Sequence, residues 1–540
     1  MRHYAGKKKP DMARYVFIFI MAGAVLRALG AAFQGPPGTD EFFALKLAEA
    51  DSIAGLIRGV YSSDMNSPLW YMLNYFIFKI LGFSEITIRL LPFLFGTVCM
   101  AVFYRMTRAF FSESISLVAL FLFAFNPYQI YYSAQAGMHT MFLMTSMLMV
   151  YYFLMSIKYN VFLKGPFIFW AAVGIYTSSF SLIIIMVLNA VLLLKYRDEI
   201  RMKEWGKSMG IIALLAAPLI PVFLNNPAWG GYPYEPGFAV LLTAPFYTLK
   251  NYLFGISLPF NPIVIGGLAA MIYFILLGRF TYREHTQKMV DIIFTTAVFL
   301  VLFFWIMSFF QKNVYSDESI IVVSALIIIL LAAGISYLSR PASAMVIVVM
   351  ACFYGAALYN QVFDENYKNI NYAPGFDIIK EDFKGGDIII HSNTGSYAAY
   401  GFYKQAGRNE VFENRLLERG SEKTGWVIKE HLRGIWLKFA GKALSGESSG
   451  EHFFYKKDMI PEGAKEEVLK KYKRIWFVRD NKTGIKHRWM HIGAVFSGAY
   501  EKTGLPEPGS PEDLGRAARY FKDVKEYRFS GNEVYLLERR

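Results

Sequence analysis

Long apolar runs broken by short charged loops fill the first two thirds of the chain. From about residue 361 the pattern changes to mixed charge with short strand-like and helix-like stretches. An apolar run of ~18–20 residues crosses the hydrocarbon core as a helix, because backbone groups in lipid must be paired within the segment. Such runs are predicted at 15–33, 86–107, 114–131, 141–157 and 165–176, with a sixth ending at Leu194. The rest fall at 208–224, 261–278 and 290–310, then one ending near Leu338 and one at 342–359. Two stretches in the first long loop, 42–58 and 68–82, read as helices lying at the membrane interface. The first gathers Phe43, Leu47, Ile53, Leu56 and Ile57 on one face. A third such helix is predicted around 239–253.

Charge orients these runs. Lys7, Lys8, Lys9 and Arg14 precede the first. Arg105 and Arg108, Lys158 and Lys164, the set Lys195, Arg197, Arg201, Lys203 and Lys207, then Arg279, Arg283 and Lys288, and finally Arg340 all fall on alternate loops. That is the distribution expected of cytoplasmic loops. The expectation is a polytopic α-helical membrane protein of about eleven spans, or up to thirteen. Its N-terminus is cytoplasmic and the plasma membrane is its expected location. The first run lacks a small-residue cleavage site and should stay as a span.

Composition agrees. Apolar residues make up 55% of the 540 and charged residues only 18%, too little charge for a soluble protein of this size. The net charge of +14 sits largely in the loops just named, so it does not indicate a nucleic-acid partner. Cys99 and Cys352 both lie in apolar runs, which leaves no disulfide or cysteine-based metal site for the tail.

The organisation predicted is a membrane catalytic domain at 1–360, with an outer loop at 34–84, followed by an extracytoplasmic soluble α/β domain at 361–540. In the tail, 387–391 and 474–479 read as strands. Residues 461–472, 511–521 and a segment from Ser396 read as helices. Residues 527–530 and 533–538 read as a hairpin around Gly531-Asn532.

The candidate chemistry sits in the first outer loop. Gly38-Thr39-Asp40-Glu41 follows the first span with two adjacent carboxylates, and Asn66-Ser67-Pro68-Leu69-Trp70 opens the second interfacial helix. Thr39 and Asp40 are also good helix caps, so capping alone is one reading. A carboxylate at the lipid–water boundary is also suited to take a proton from a hydroxyl nucleophile.

Four segments carry a family resemblance: Asp40-Glu41, Asn66-Ser67-Pro68-Leu69-Trp70-Tyr71, Ser84-Glu85-Ile86-Thr87-Ile88-Arg89-Leu90-Leu91-Pro92 with Gly96, and Asn126-Pro127-Tyr128-Gln129-Ile130-Tyr131-Tyr132-Ser133. In order and spacing they resemble the GT-C glycosyltransferases, specifically the relatives of protein O-mannosyltransferases and of aminoarabinose transferase. Gly174-Ile175-Tyr176-Thr177 is a weaker fifth match. The resemblance implies a polyprenyl-phosphate sugar donor and transfer on the outer face of the membrane. It also implies that Asp40 acts as the general base, and its neighbour Glu41 is the second catalytic candidate. Direct attack by the acceptor would invert the anomeric carbon. The anionic leaving phosphate needs a positive partner, for which Arg89 is the candidate, with snorkelling at the interface as its other reading. Asn66, Gln135 and His139 are candidate substrate contacts.

The chain departs from the family where relatives often carry Tyr-Ser-Gln-Glu-Ala-Arg-Met-Tyr. It has Tyr132-Ser133-Ala134-Gln135-Ala136-Gly137-Met138-His139, losing an acid and a base. No metal ligands are assigned, although a divalent cation is possible. The acceptor is a protein, lipid or polysaccharide. Two other readings are a degenerate homologue serving as a glycan-assembly subunit and a lipid-linked glycan transporter. A transporter should bury several charges mid-membrane, and few are seen.

Overall fold

The computed structural model describes residues 12–35, 37–38, 41, 48, 50–62, 67–220, 222, 238–280, 284–310, 315–364, 367, 371–384, 387–391, 474–480, 521–529 and 532–539. Helices account for nearly all of the first part. In chain order they are α1 (Met12–Phe33), α2 (Ile53–Ser62), α3 (Pro68–Leu81), α4 (Thr87–Phe110), α5 (Glu113–Ala124), α6 (Pro127–Ala134), α7 (His139–Tyr159), α8 (Lys164–Thr177), α9 (Ser181–Lys195) and α10 (Met202–Ala216). They continue with α11 (Phe238–Phe254), α12 (Pro262–Phe280), α13 (Glu284–Phe310), α14 (Val322–Ile335), α15 (Arg340–Phe363) and α16 (Ala373–Asp382).

Each of the eleven apolar runs corresponds to a helix or a helix pair. Among the described residues, α1, α4, α7, α12, α13 and α15 are long and apolar enough to cross a membrane, and α5 with α6 makes a seventh if the bent pair is one span. The other runs form shorter helices, such as the 14-residue α8 and α14. The expected interfacial helices at 68–82 and 239–253 appear as α3 and α11. Of the first one, at 42–58, residues 42–47 and 49 lie outside the described residues, 50–52 are not helical, and the rest falls in α2.

One expectation is corrected. The third run is not a continuous helix over 114–131. It breaks at Phe125-Asn126, and α5 and α6 meet at 51°. Pro127 cannot donate to the helix ladder, so a helix ends before it and can restart with proline in its first turn. Asn126 makes that restart: its Oδ1 accepts from the amides of Tyr128 (2.9 Å) and Gln129 (3.2 Å). Its Nδ2 donates to the Tyr252 carbonyl and to Tyr354 Oη, which pins the bend to α11 and α15.

Small residues set the closest crossings. A Cβ on Gly334 of α14 would overlap the Phe274 carbonyl of α12, and one on Gly278 would overlap the Leu330 carbonyl, so these two backbones touch. A Cβ on Gly96 of α4 would likewise collide with Ser133 of α6. This crossing brings the bent helix against the start of α4.

The C-terminal part contributes a four-stranded sheet of β1 (Ile388–His391), β2 (Arg474–Asp480), β3 (Phe521–Phe529) and β4 (Asn532–Arg539), in the order β1-β2-β4-β3. β1 runs parallel to β2, and the other two pairings are antiparallel. The expected strands and terminal hairpin are present, with Phe529 opposite Asn532 across the turn. Phe521 opens β3 rather than closing a helix. The helices expected from Ser396 and at 461–472, and 511–520 before β3, lie outside the described residues.

Arg474, nearly buried at the start of β2, ties the sheet to α16. It hydrogen-bonds the Asp382 carbonyl at 3.0 Å and pairs with the carboxylates of Asp382, Asp387 and Glu538 at 3.5–3.9 Å. One face of the sheet, with Trp476, Val478, Val534 and Leu536, forms a second hydrophobic core with Phe376 and Ile379 of α16. That core also takes in Ile88 and Ala136 from the helical part.

Candidate active site

The site gathers where α1 stops, α4 starts and the turn between α6 and α7 passes. Ser84 and Thr87 fix the start of α4 by capping each other. The Ser84 amide donates to Thr87 Oγ1 (2.9 Å), and the Thr87 amide to Ser84 Oγ (3.2 Å). These reciprocal bonds close the turn that leads into α4. They set Arg89 in the first turn of α4.

Arg89 points into the loop after α1. Its Nη2 donates to the Gly35 carbonyl at 2.6 Å and lies 3.9 Å from Glu41 Oε2. Gly35 has φ of 82°, a left-handed conformation that favours glycine and lets the chain turn its carbonyl toward the guanidinium. Glu41 is held from two further sides. Gly38 N–H donates to Oε2 and Ala136 N–H to Oε1, both at 2.6 Å. The second bond spans 95 residues of sequence and joins the loop after α1 to the turn after α6.

Both charged side chains are buried, with 6% and 7% of their surface exposed. A buried ion pair is tolerated only when hydrogen bonds satisfy the remaining sites. Glu41 meets that condition. Arg89 keeps one unused donor: its Nε has no hydrogen-bond partner among the described residues. Such a guanidinium can accept an additional anionic oxygen.

Of the other expected residues, Gln135 caps the end of α6. Its amide bonds the Tyr131 carbonyl at 3.2 Å, and its Nε2 donates to Tyr131 Oη. His139 opens α7, with its ring edge-on to Tyr132 at 4.8 Å between centroids. Thus Glu41, Arg89, Gln135 and His139 fall on three adjoining segments. Asp40 and Asn66 lie outside the described residues.

The sequence reading missed a second acidic pair, Asp317-Glu318, in the turn before α14. Tyr132 Oη donates to Glu318 Oε2 at 2.7 Å, Asn251 Nδ2 to Asp317 Oδ2 at 3.0 Å, and Tyr252 Oη to the Asp317 carbonyl at 2.6 Å. Burial and the neighbouring Glu318 charge push the Asp317 carboxyl up to about 6. The available signal was two adjacent acids at the mouth of an apolar run, the same pattern that marked Asp40-Glu41. Lys250 is buried and caps the carbonyls of Gly255, Ile256 and Leu258. Among the described residues, no group of three His, Cys, Asp or Glu side chains is placed to hold a metal ion.

Residues 66–224 match the family model described as dolichyl-phosphate-mannose-protein mannosyltransferase. No curated protein matches the chain in sequence. Among solved structures, the chain superposes on ArnT from Cupriavidus metallidurans bound to undecaprenyl phosphate with a TM-score of 0.56 at 11% identity. The match covers 97% of this chain and 98% of that one. The apo form of the same protein gives 0.56 at 10% identity, with the same coverage. The Archaeoglobus fulgidus oligosaccharyltransferase in its apo form gives 0.45 at 13% identity, over 98% of this chain and 74% of that chain. The fold is therefore the GT-C membrane fold, and the chain resembles the GT-C glycosyltransferases of the protein O-mannosyltransferase and aminoarabinose transferase kind.

Proposed function

We propose that this protein is an integral membrane glycosyltransferase that moves a sugar from a polyprenyl-phosphate donor to an acceptor hydroxyl on the outer face of the membrane. The observation that carries this reading is the buried Glu41–Arg89 pair, whose Arg89 Nε has no partner among the described residues and whose Glu41 follows Asp40 in the sequence. It fits the family-model match and the fold of a protein solved with undecaprenyl phosphate bound.

In this reading Asp40 takes the acceptor hydroxyl's proton as the acceptor oxygen bonds to the anomeric carbon. The bond from that carbon to the phosphate oxygen breaks on the opposite face, so configuration inverts. The electron pair leaves with the polyprenyl phosphate, and Arg89 stabilises the growing charge on that oxygen. Glu41, with its two backbone donors, holds Arg89 and the loop in place. Gln135 and His139 line the sugar or acceptor side, and Asn66 belongs to the same loop. A divalent cation beside Asp40 is an alternative source of positive charge for the phosphate. Residues 361–540 form an extracytoplasmic domain that serves acceptor use, the N-terminus is cytoplasmic and the plasma membrane is the location.

The test is transfer in membranes supplied with a panel of polyprenyl-phosphate sugars, comparing wild type with Asp40→Asn. The substitution keeps the shape and removes the base. Transfer by wild type that collapses in the variant is the expected result and identifies the sugar. Equal transfer in both would remove Asp40 as the base and move that role to Glu41, whereas no transfer from any donor would favour the assembly-subunit reading.

A further inference from the structure

Two fully buried residues of the helical part enter the core of the C-terminal sheet, and both are continuous with the site. Ile88, fully buried, immediately precedes Arg89. Ala136, also fully buried, donates its backbone N–H to Glu41. Their side chains belong to one hydrophobic core with Phe376 and Ile379 of α16 and Trp476 and Leu536 of the sheet. Phe78 and Phe83, stacked edge-on at 4.9 Å, pack against the same core from α3 and the turn after it. No other part of the helical bundle contributes a fully buried residue to this core among the described residues.

The physical consequence follows from the covalent chain. A buried side chain fixes its own backbone, and here those backbones carry the Arg89 side chain and the amide that binds one Glu41 oxygen. Separating the sheet from the bundle would expose Ile88 and Ala136 to water. The local bonds of the turn at 135–137 run from Gln135 N–H to the Tyr131 carbonyl, from Gln135 Nε2 to Tyr131 Oη and from Gly137 N–H to the Gln135 carbonyl. None of these fixes the direction of the Ala136 N–H, so without the sheet its bond to Glu41 would stand without packing behind it.

We propose that the C-terminal sheet and α16 assemble the site through Ile88 and Ala136, so that docking of the tail sets the Glu41–Arg89 clamp. Phe376 and Ile88 are then positioning residues that act through the clamp without touching substrate. The inference deepens the transferase reading and rests on it only for the kinetic part of its test.

The experiment is hydrogen exchange followed by mass spectrometry on the full-length protein in nanodiscs, comparing wild type, Phe376→Ala and Ile88→Ala. Phe376→Ala loosens the tail side, and Ile88→Ala acts from the bundle side while leaving the tail's own core whole. In both variants peptides covering 86–90 and 134–138 should exchange at least about tenfold faster, while those in α14 keep their protection. Ile88→Val, which keeps the branched side chain, should restore most of it. In the transfer assay both Ala variants should raise the donor KM, because Arg89 is displaced. Unchanged exchange at 134–138 in both Ala variants overturns the proposal, whatever the activity. A rise confined to the acceptor KM also overturns it, since the tail would then be only an acceptor platform. Failure of the wild type to transfer sugar would count against the transferase reading, and the exchange result would still decide this one.

Discussion

Two ion pairs close opposite ends of the helical bundle, and they are built for different purposes. At one end Arg279 of α12 pairs with Asp291 of α13. Asp291 also accepts from Tyr196 Oη at 2.7 Å and from Lys195 at 3.4 Å, and Lys195 reaches Thr295 at 3.1 Å. About a fifth of each paired side chain is exposed there, 18% and 20%. Three donors converge on a single carboxylate, which staples α9, α12 and α13 together. At the other end the Glu41–Arg89 pair is about a third as exposed, is held largely by backbone amides, and has one guanidinium nitrogen, Nε, without a hydrogen-bond partner among the described residues. The first arrangement uses surplus cations to satisfy one acid. The second uses fixed dipoles to satisfy the acid and leaves the cation's capacity open. Both are ion pairs by distance, and depth of burial together with backbone rather than side-chain donors is what separates them.

Substitutions at three positions sharpen this contrast. The largest effect should come from Arg89→Ala, which removes the positive charge proposed to face the leaving phosphate. Transfer should fall by about a hundredfold or more, the scale seen when one preorganised electrostatic donor is lost. Arg89→Lys should recover only part, since an ammonium lacks the planar fork. A full-rate Arg89→Ala enzyme would erase the distinction between the two pairs.

Asp291→Asn should behave in the opposite sense. Loss of the shared carboxylate should lower stability by about 1–2 kcal/mol, as expected of partly exposed charged hydrogen bonds. Transfer per folded molecule should stay within about twofold of wild type, because the cluster touches nothing in the site. Thermal unfolding in detergent together with specific activity tests both halves, and a selective loss of activity would contradict the staple.

The last prediction concerns the second acidic pair and is read from stability against pH. Asp317 holds its proton more tightly in the folded protein, with the carboxyl raised from 3.8 to about 6 by burial and by Glu318. A raised carboxyl favours the protonated native state. Its contribution to stability is therefore greatest at low pH and is lost as pH rises from about 4 through 6. Asp317→Asn removes that loss. The Tm difference between variant and wild type should move in the variant's favour across this interval and level off above about pH 7. A difference flat from pH 4 to 8 would mean that Asp317 is not perturbed.

Much of the fold was legible because hydrocarbon imposes length and apolarity on whatever crosses it. Runs of that kind fell where α1, α4, α7, α12, α13 and α15 stand. The terminal hairpin was legible from Gly531-Asn532 between two alternating runs. The bend at Asn126-Pro127 was written in the sequence as an asparagine cap and a proline, yet the apolar content on both sides hid it. The site was partly legible. Asp40-Glu41 and Arg89 stood out as charges beside spans, whereas Asp317-Glu318, with the same pattern, gained meaning only once Tyr132 was seen to reach Glu318.

Sequence by itself determined the membrane class, the approximate positions of the helices and the loop that carries the carboxylates. All of these follow from local rules: the thickness of the bilayer, the alternation of strands, and the side of the membrane that basic loops prefer. Tertiary structure alone decided that Glu41 accepts from Ala136 across 95 residues, that Lys250 caps a turn, and that the C-terminal sheet packs on Ile88 beside Arg89. Those contacts depend on which helices touch. That is set by small-residue crossings such as Gly278 with Gly334 and Gly96 with Ser133, where a single Cβ would keep the backbones apart and which no one-dimensional pattern records.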